Sequence, residues 1–151
     1  MTALTDNQIV ETKVAPQRVK LQVVDGVIRI YKGAFLNYEA ANIGYVKLGS
    51  DTLSEEFAGV ALEEKNLAAA DNTADGTFDV LVVPRGSGEW IKANVSSTIT
   101  IANEGDEVYV DDDGAVDIAS GITNTTGGLV GYIRKYISAN SAWVQLAPNN
   151  A

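Results

Sequence analysis

The side chains able to do chemistry in this sequence are mainly carboxylates, because the chain contains no His and no Cys. That removes thiolate nucleophiles, disulfides and Cys-built zinc or iron–sulfur sites. It also removes imidazole bases, Ser-His-Asp triads and metals held by ring nitrogens. Carboxylate, Lys or Tyr chemistry remains, or none. The run Asp111-Asp112-Asp113-Gly114 invites calcium, since hard cations take several carboxylate oxygens. A calcium loop, however, spaces its acidic residues at alternate positions, and here Gly directly follows three consecutive Asp. Asp-Gly reads better as a solvated hairpin tip. Glu55-Glu56 and Glu63-Glu64 are candidate paired carboxylates for glycoside hydrolysis, yet nothing in the sequence sets them across a cleft or beside a sugar platform. Gly86-Ser87-Gly88 and Gly127-Gly128 lack the Lys-Ser/Thr of a phosphate loop and the third Gly of a dinucleotide turn. The sequons at Asn94 and Asn124 carry meaning only in a secretory pathway. The expectation is a protein that is not an enzyme, with no cofactor and no metal.

Binding is better represented than catalysis. Trp90 and Trp143 are the two Trp of the chain, each placed where an alternating strand presents it outward, and Trp is enriched at interface hot spots. Ala142, Val144 and Leu146 already make one apolar face, so Trp143 lies on the other, beside Gln145. That face is an interface or a second covered face.

These residues need a scaffold. At 151 residues, 46% hydrophobic and 21% charged, the chain is in the globular range, and a chain of that length typically buries about 70% of its unfolded surface. Residues 1–17 are polar with scattered apolar positions and end at Pro16-Gln17, which reads as an extended N-terminal arm or a frayed terminus. Residues 18–151 read as a single β-rich domain. From Val19 the period is two: residues 19–23 and 27–31 bracket Asp25-Gly26, a hairpin signal. Further strands are expected over 34–38, 45–48, 78–83, 89–91, 98–101, 107–111, 115–118, 129–133 and 142–146. Residues 58–70 are ambiguous, since Ala, Leu, Glu and Lys favour a helix there while Phe57-Ala58-Gly59-Val60 looks like a buried strand entering a bend; strand over 58–63 and a loop or single helical turn over 66–71 is the reading adopted. Residues on both faces of 78–83 are apolar, as in a strand covered on both sides. The fold class is all-β, a small β-barrel or β-sandwich of short antiparallel strands.

The net charge is −9, from 11 Lys+Arg against 20 Asp+Glu, which argues against nucleic acid and against an anionic membrane surface. No apolar run reaches a membrane span, and the N-terminus lacks the basic and apolar regions of a signal peptide. Synthesis in a cytoplasm is expected.

The order of features then resembles a known family. A polar arm beginning Ala3-Leu4-Thr5 is followed by Ile30-Tyr31-Lys32-Gly33-Ala34, Phe57-Ala58-Gly59-Val60-Ala61 with Glu63-Glu64, and Asp75-Gly76 with a Val-rich strand ending in Arg85-Gly86. Val108-Tyr109-Val110-Asp111-Asp112, Val130-Gly131-Tyr132 and Trp143-Val144-Gln145-Leu146 complete the pattern. This is similar to the capsid decoration, or cement, proteins of tailed bacteriophages; the stretch 87–101 and the length of the 120s loop depart from it. The resemblance implies a structural virion protein on the outer capsid surface, made in the host bacterial cytoplasm. Its partners would be the major capsid protein, whose subunits it bridges, and itself, as a homo-oligomer with a trimer favoured over a dimer. Leu4, Ile9, Val10 and Val14 of the arm, with Arg18, Trp90 and Trp143, are the candidate capsid-binding or partner-binding residues. The capsid-facing patch is expected to use the Lys and Arg of the arm and first hairpin. Alternatives are a head fibre base or tail component, and a glycan-binding surface module. A repeated lattice supplies avidity, so each copy needs only a modest interface and an arm that reaches a neighbour. Deleting residues 1–17 is expected to leave a folded β-domain but weaken its co-sedimentation with expanded capsid shells; undiminished binding would remove the arm from the interface.

Overall fold

In a computed structural model, which describes residues 18–41 and 44–147, the chain folds as an all-β protein of three antiparallel sheets. The first sheet has five strands in the order β1 (Val19–Gln22), β7 (Asp79–Pro84), β5 (Phe57–Ala61), β3 (Phe35–Tyr38) and β4 (Val46–Leu48). The second also has five, in the order β10 (Val116–Ile118), β9 (Glu107–Val110), β11 (Leu129–Ser138), β12 (Ser141–Leu146) and β8 (Trp90–Asn94). A two-stranded pair, β2 (Arg29–Ile30) with β6 (Lys65–Asn66), completes the set. Both large sheets curl until their ends meet at one bridge, Val23 with Val46 in the first and Val95 with Val116 in the second.

The period-two pattern explains how the sheets stack. Along β3, β5 and β7, alternate side chains enter different cores. Leu36, Ala58, Ala61, Val80 and Val82 join Val23, Ile30 and Val46 inside the first sheet. Phe35, Phe57, Val60 and Val83 face the opposite way and pack under the second sheet, against Val108, Ile133, Val144 and Leu146. Every residue of β5 is buried. The Phe35 and Phe57 rings meet at 6.3 Å between centroids, tilted by 52°, an edge-biased geometry that aromatic quadrupoles favour. The both-faces-covered reading of 78–83 thus holds for β7; of the reading adopted for 58–70, the strand ends at Ala61 rather than at 63, Lys65–Asn66 form the short β6, and the helical turn is a 3₁₀ turn at Ala69–Asp71.

Two local expectations give way. Asp25-Gly26 does turn, with Gly26 at φ +82°, but the strands around it do not pair with each other. β1 pairs with β7, Val19 opposite Val82 and Leu21 opposite Val80, which sets apolar side chains together over one core. The turn is held instead by Asn72, whose side-chain amide donates to the carbonyls of Val24 and Val27, each at 2.8 Å. Residues 98–101 are not a strand either. Thr100 Oγ1 accepts from the Ala102 N–H and Asn103 Oδ1 accepts from the Thr100 N–H, so side-chain capping draws the backbone into a 3₁₀ turn at Ile101–Asn103. Ile99 is buried while Ile101 is left in solvent.

Gly131 sits where β11 passes close to the backbone of β12. A Cβ there would collide with the Gln145 carbonyl oxygen, a backbone atom with no rotamer to yield. Gly131→Ala is therefore expected to lower unfolding stability by about 1–3 kcal/mol through overpacking, read as a lower denaturant midpoint at unchanged slope.

Candidate functional site

The outward face of β8, β12 and β11 gathers aromatic and basic side chains. Ala93, Ala142, Val144 and Leu146 point inward and are buried, so period two turns Trp90, Lys92, Trp143 and Gln145 outward. Cross-strand register then makes them neighbours: Trp90 stands opposite Gln145 and Lys92 opposite Trp143. The two Trp are consequently diagonal neighbours on one face, at about 7–8 Å by strand geometry. On the other side of β12, Tyr132 pairs with Gln145 and Lys135 with Trp143 across an irregularity in β11. Arg134 donates through Nε to Gln145 Oε1 at 2.7 Å and lies 5.2 Å from the centre of the Tyr132 ring. Gln145 in turn donates to the Gly88 carbonyl at 3.2 Å. Trp90 is 52% exposed and Trp143 38% exposed, large apolar areas for a folded surface. In a chain of net charge −9, Lys92, Arg134 and Lys135 make this face locally basic, with Glu107, paired to Tyr132, at its border.

The sequence candidates are distributed unevenly around it. Trp90 and Trp143 come together on this face. Arg18 lies at the start of β1 and reaches Glu89 with both guanidinium nitrogens, at 2.7 and 3.4 Å, so it ties the first sheet to the entry of β8. Leu4, Ile9, Val10 and Val14 fall outside the described residues. The basic residues beside the two Trp are not those of the first turn: Arg29 pairs with Glu64 at 2.6 Å and lies over the Tyr31 ring. Lys92, Gln145, Tyr132 and Arg134 were missed as site residues. Lys92 and Gln145 are each two positions from a Trp on the same strand, and that signal was available; the pairing of β8 with β12 across a stretch of nearly fifty residues was not.

Most of the carboxylates considered for chemistry are engaged in separate structural bonds. Buried Glu55 accepts from Lys47 Nζ at 2.8 Å, Ser50 Oγ at 3.1 Å and Asn37 Nδ2 at 3.2 Å. That hydrogen bond is the chief reason the Lys47 ammonium is held above its usual range. Glu56 pairs with Arg85 at 2.9 Å. In the acidic run, Asp111 accepts from Ser96, Asp112 accepts from the Gly114 N–H, and the Asp113 carbonyl accepts from the Phe35 N–H. The hairpin-tip reading is what β9 and β10 show, with Val110 opposite Val116. The Tyr109 hydroxyl donates to Glu107, and burial together with that bond pushes its pKa up to about 12. Among the described residues no group of three or more acidic side chains is arranged to hold a metal ion.

No protein-family model matches this chain, and no curated protein matches its sequence.

Glu63 is a structural carboxylate with a testable signature. It accepts from the Leu81 N–H at 3.0 Å and pairs with Lys65 at 3.2 Å. The backbone bond, with help from Lys65, holds its carboxyl below the ordinary value of 4.5. A depressed folded pKa adds stability that is complete above the unfolded value and is lost as pH falls through the folded one. Glu63→Gln is thus expected to lower the melting temperature at pH 7, and the difference from the parent protein is expected to shrink steadily as pH drops below about 4.5.

Proposed function

We propose that this protein is a structural component of a tailed-phage virion that binds the outer surface of the capsid and strengthens the shell by bridging major capsid protein subunits. The observation that carries the reading is the aromatic and basic face of β8, β12 and β11. Half-exposed Trp beside Tyr and Arg is the composition of an interface centre rather than of an idle surface. It faces outward from a domain whose core is complete without it, so its exposure serves no folding need. The order of sequence features that resembles decoration proteins supplies the identity of the partner. A homo-oligomer, a trimer before a dimer, fits a module placed at capsomer junctions, because closed symmetry presents the same face to several subunits at once.

A second reading draws on the same geometry. Two Trp on one sheet face with Lys, Gln and Tyr alongside also make a platform for a sugar ring, with the polar groups taking hydroxyls. A glycan-binding surface module on the particle therefore stays open.

Trp90→Ala and Trp143→Ala separate the two. For a capsid interface each is expected to weaken binding to expanded shells by at least about tenfold, the effect of losing a hot-spot aromatic, with an unchanged melting temperature. Shell binding that survives both substitutions, together with a glycan-array signal that they abolish, would replace the first reading with the second. Light scattering of the intact protein at three times the monomer mass supports the trimer; two times selects the dimer.

A further inference from the structure

Lysine, asparagine and glutamate side chains meet at one point between β3, β4 and the segment that enters β5. Asn37 and Lys47 stand directly opposite each other across β3 and β4, where facing Cβ atoms are about 4.5–5.5 Å apart. Glu55 joins them: its Oε2 accepts from Lys47 Nζ at 2.8 Å and its Oε1 from Asn37 Nδ2 at 3.2 Å. Ser50 fixes the rest of the arrangement. Its carbonyl accepts from Asn37 Nδ2 at 2.9 Å and its hydroxyl donates to Glu55 Oε1 at 3.1 Å, so amide and carboxylate have little freedom to turn. Asn37 and Glu55 are 0% and 3% exposed, which keeps bulk water from the amide, while the partly exposed Lys47 side chain leaves a way out to solvent. A primary amine, a carboxamide and a carboxylate that touches both nitrogens are the reactants and the proton carrier of an amide exchange.

We propose that Lys47 and Asn37 join through an isopeptide bond, which the folded chain forms on itself with Glu55 as the acid–base group. One proton passes from the Lys47 ammonium to Glu55 Oε2, and the freed amine adds to Asn37 Cγ. The Glu55 carboxyl then gives its proton from Oε1 to Nδ2 and takes one from Nζ. The Cγ–Nδ2 bond breaks, ammonia leaves, the Nζ–Cγ amide remains, and Glu55 keeps one proton. No oxidant or further reactant is needed. The product suits the site in two ways. A carboxyl this buried that has lost its cation favours its protonated form, and Asn37 Oδ1, buried with no hydrogen-bond partner among the described residues, gains a donor beside it. Before reaction Glu55, with Glu39 at 3.8 Å, favours the ammonium, so the bond forms slowly and once per molecule, through the proximity that folding supplies. It ties β4, the end strand of the first sheet, covalently to β3 and constrains the unfolded chain as a cross-link does. The bond is a property of the isolated protein and stands apart from the capsid role.

Mass spectrometry of the intact full chain tests it. Protein held folded at mildly alkaline pH is expected to end lighter than its sequence by one ammonia, while the same chain held in denaturant keeps its full mass. Trypsin does not cut after an acylated lysine, so residues 33–65 are expected to appear as one looped fragment that lacks the ammonia. Lys47→Arg keeps a cation for Glu55 but offers no nucleophile, because the guanidinium stays protonated; this variant is expected to retain its full mass. Glu55→Gln is expected to slow the loss at least about a hundredfold. A parent chain that keeps its full mass overturns the proposal, and so does an ammonia loss that persists in Lys47→Arg, which assigns it to another asparagine. Loss at the parent rate in Glu55→Gln overturns the role given to Glu55.

Discussion

Three strands with apolar residues on both faces set the terms for the whole molecule. β3, β5 and β7 send Leu36, Ala58 and Val82 to one side and Phe35, Phe57 and Val83 to the other. A sheet of that kind is unstable unless both faces are removed from water. One face is covered by the curl of its own sheet, closing at Val23 and Val46. The other is covered only if the second sheet lies across it, which commits β9, β11 and β12 to turning their apolar residues inward. The polar and aromatic alternates of β8, β11 and β12 are thereby forced outward. The Trp-bearing face is a consequence of satisfying the central strands.

Buried polar clamps hold the two halves in register where strand pairing does not. Asn124, almost fully buried, donates to the carbonyls of Thr52 and Glu55, each at 2.8 Å. Asp51 accepts from the amides of Thr123 and Asn124. These bonds fasten the 120s loop of the second sheet to the segment that leads into β5. Gly127 lies against the Glu55 carbonyl at a distance that leaves no room for a Cβ. Glu55 gains three side-chain donors in the same region, which offsets the cost of burying its charge. Loops rich in Gly, Thr and Asn are therefore structural joints here as well as connections.

The Trp-bearing face and the outer edge of β8 share one cause. β8 ends the second sheet, and its far neighbour, β10, touches it only at the Val95–Val116 bridge. The edge of β8 away from β12 has no other strand pairing among the described residues, borders a groove with Phe35, Val60 and Val83 of the first sheet, and carries Trp90 and Lys92. A sheet that closed fully would have neither groove nor edge. Incomplete closure leaves a groove at the margin, lined by Trp90, Lys92 and residues of the first sheet.

Much of this was legible in the residues. Period-two alternation placed most strands, Gly26 and Gly114 marked real turns, and the alternation of Ala142, Val144 and Leu146 put Trp143 outside. These are local quantities, fixed by side-chain polarity and backbone sterics over a few residues. The hairpin at Asp25-Gly26 and the strand at 98–101 failed because local signals lost to other bonds: β1 gained more apolar contact from β7 than from β2, and Thr100 and Asn103 capped a turn. Strand pairing between distant segments has no local signature. Whether Trp90 and Trp143 were one site or two depended on β8 lying beside β12, a choice made by the burial of two opposed apolar faces. Residue order by itself determined the all-β class, through alternation and turn residues, and composition determined the absence of His and Cys chemistry, since both are given by the chain. Tertiary packing alone decided which side chains share a surface, because only the requirement to cover both faces of β3, β5 and β7 selects among the possible pairings.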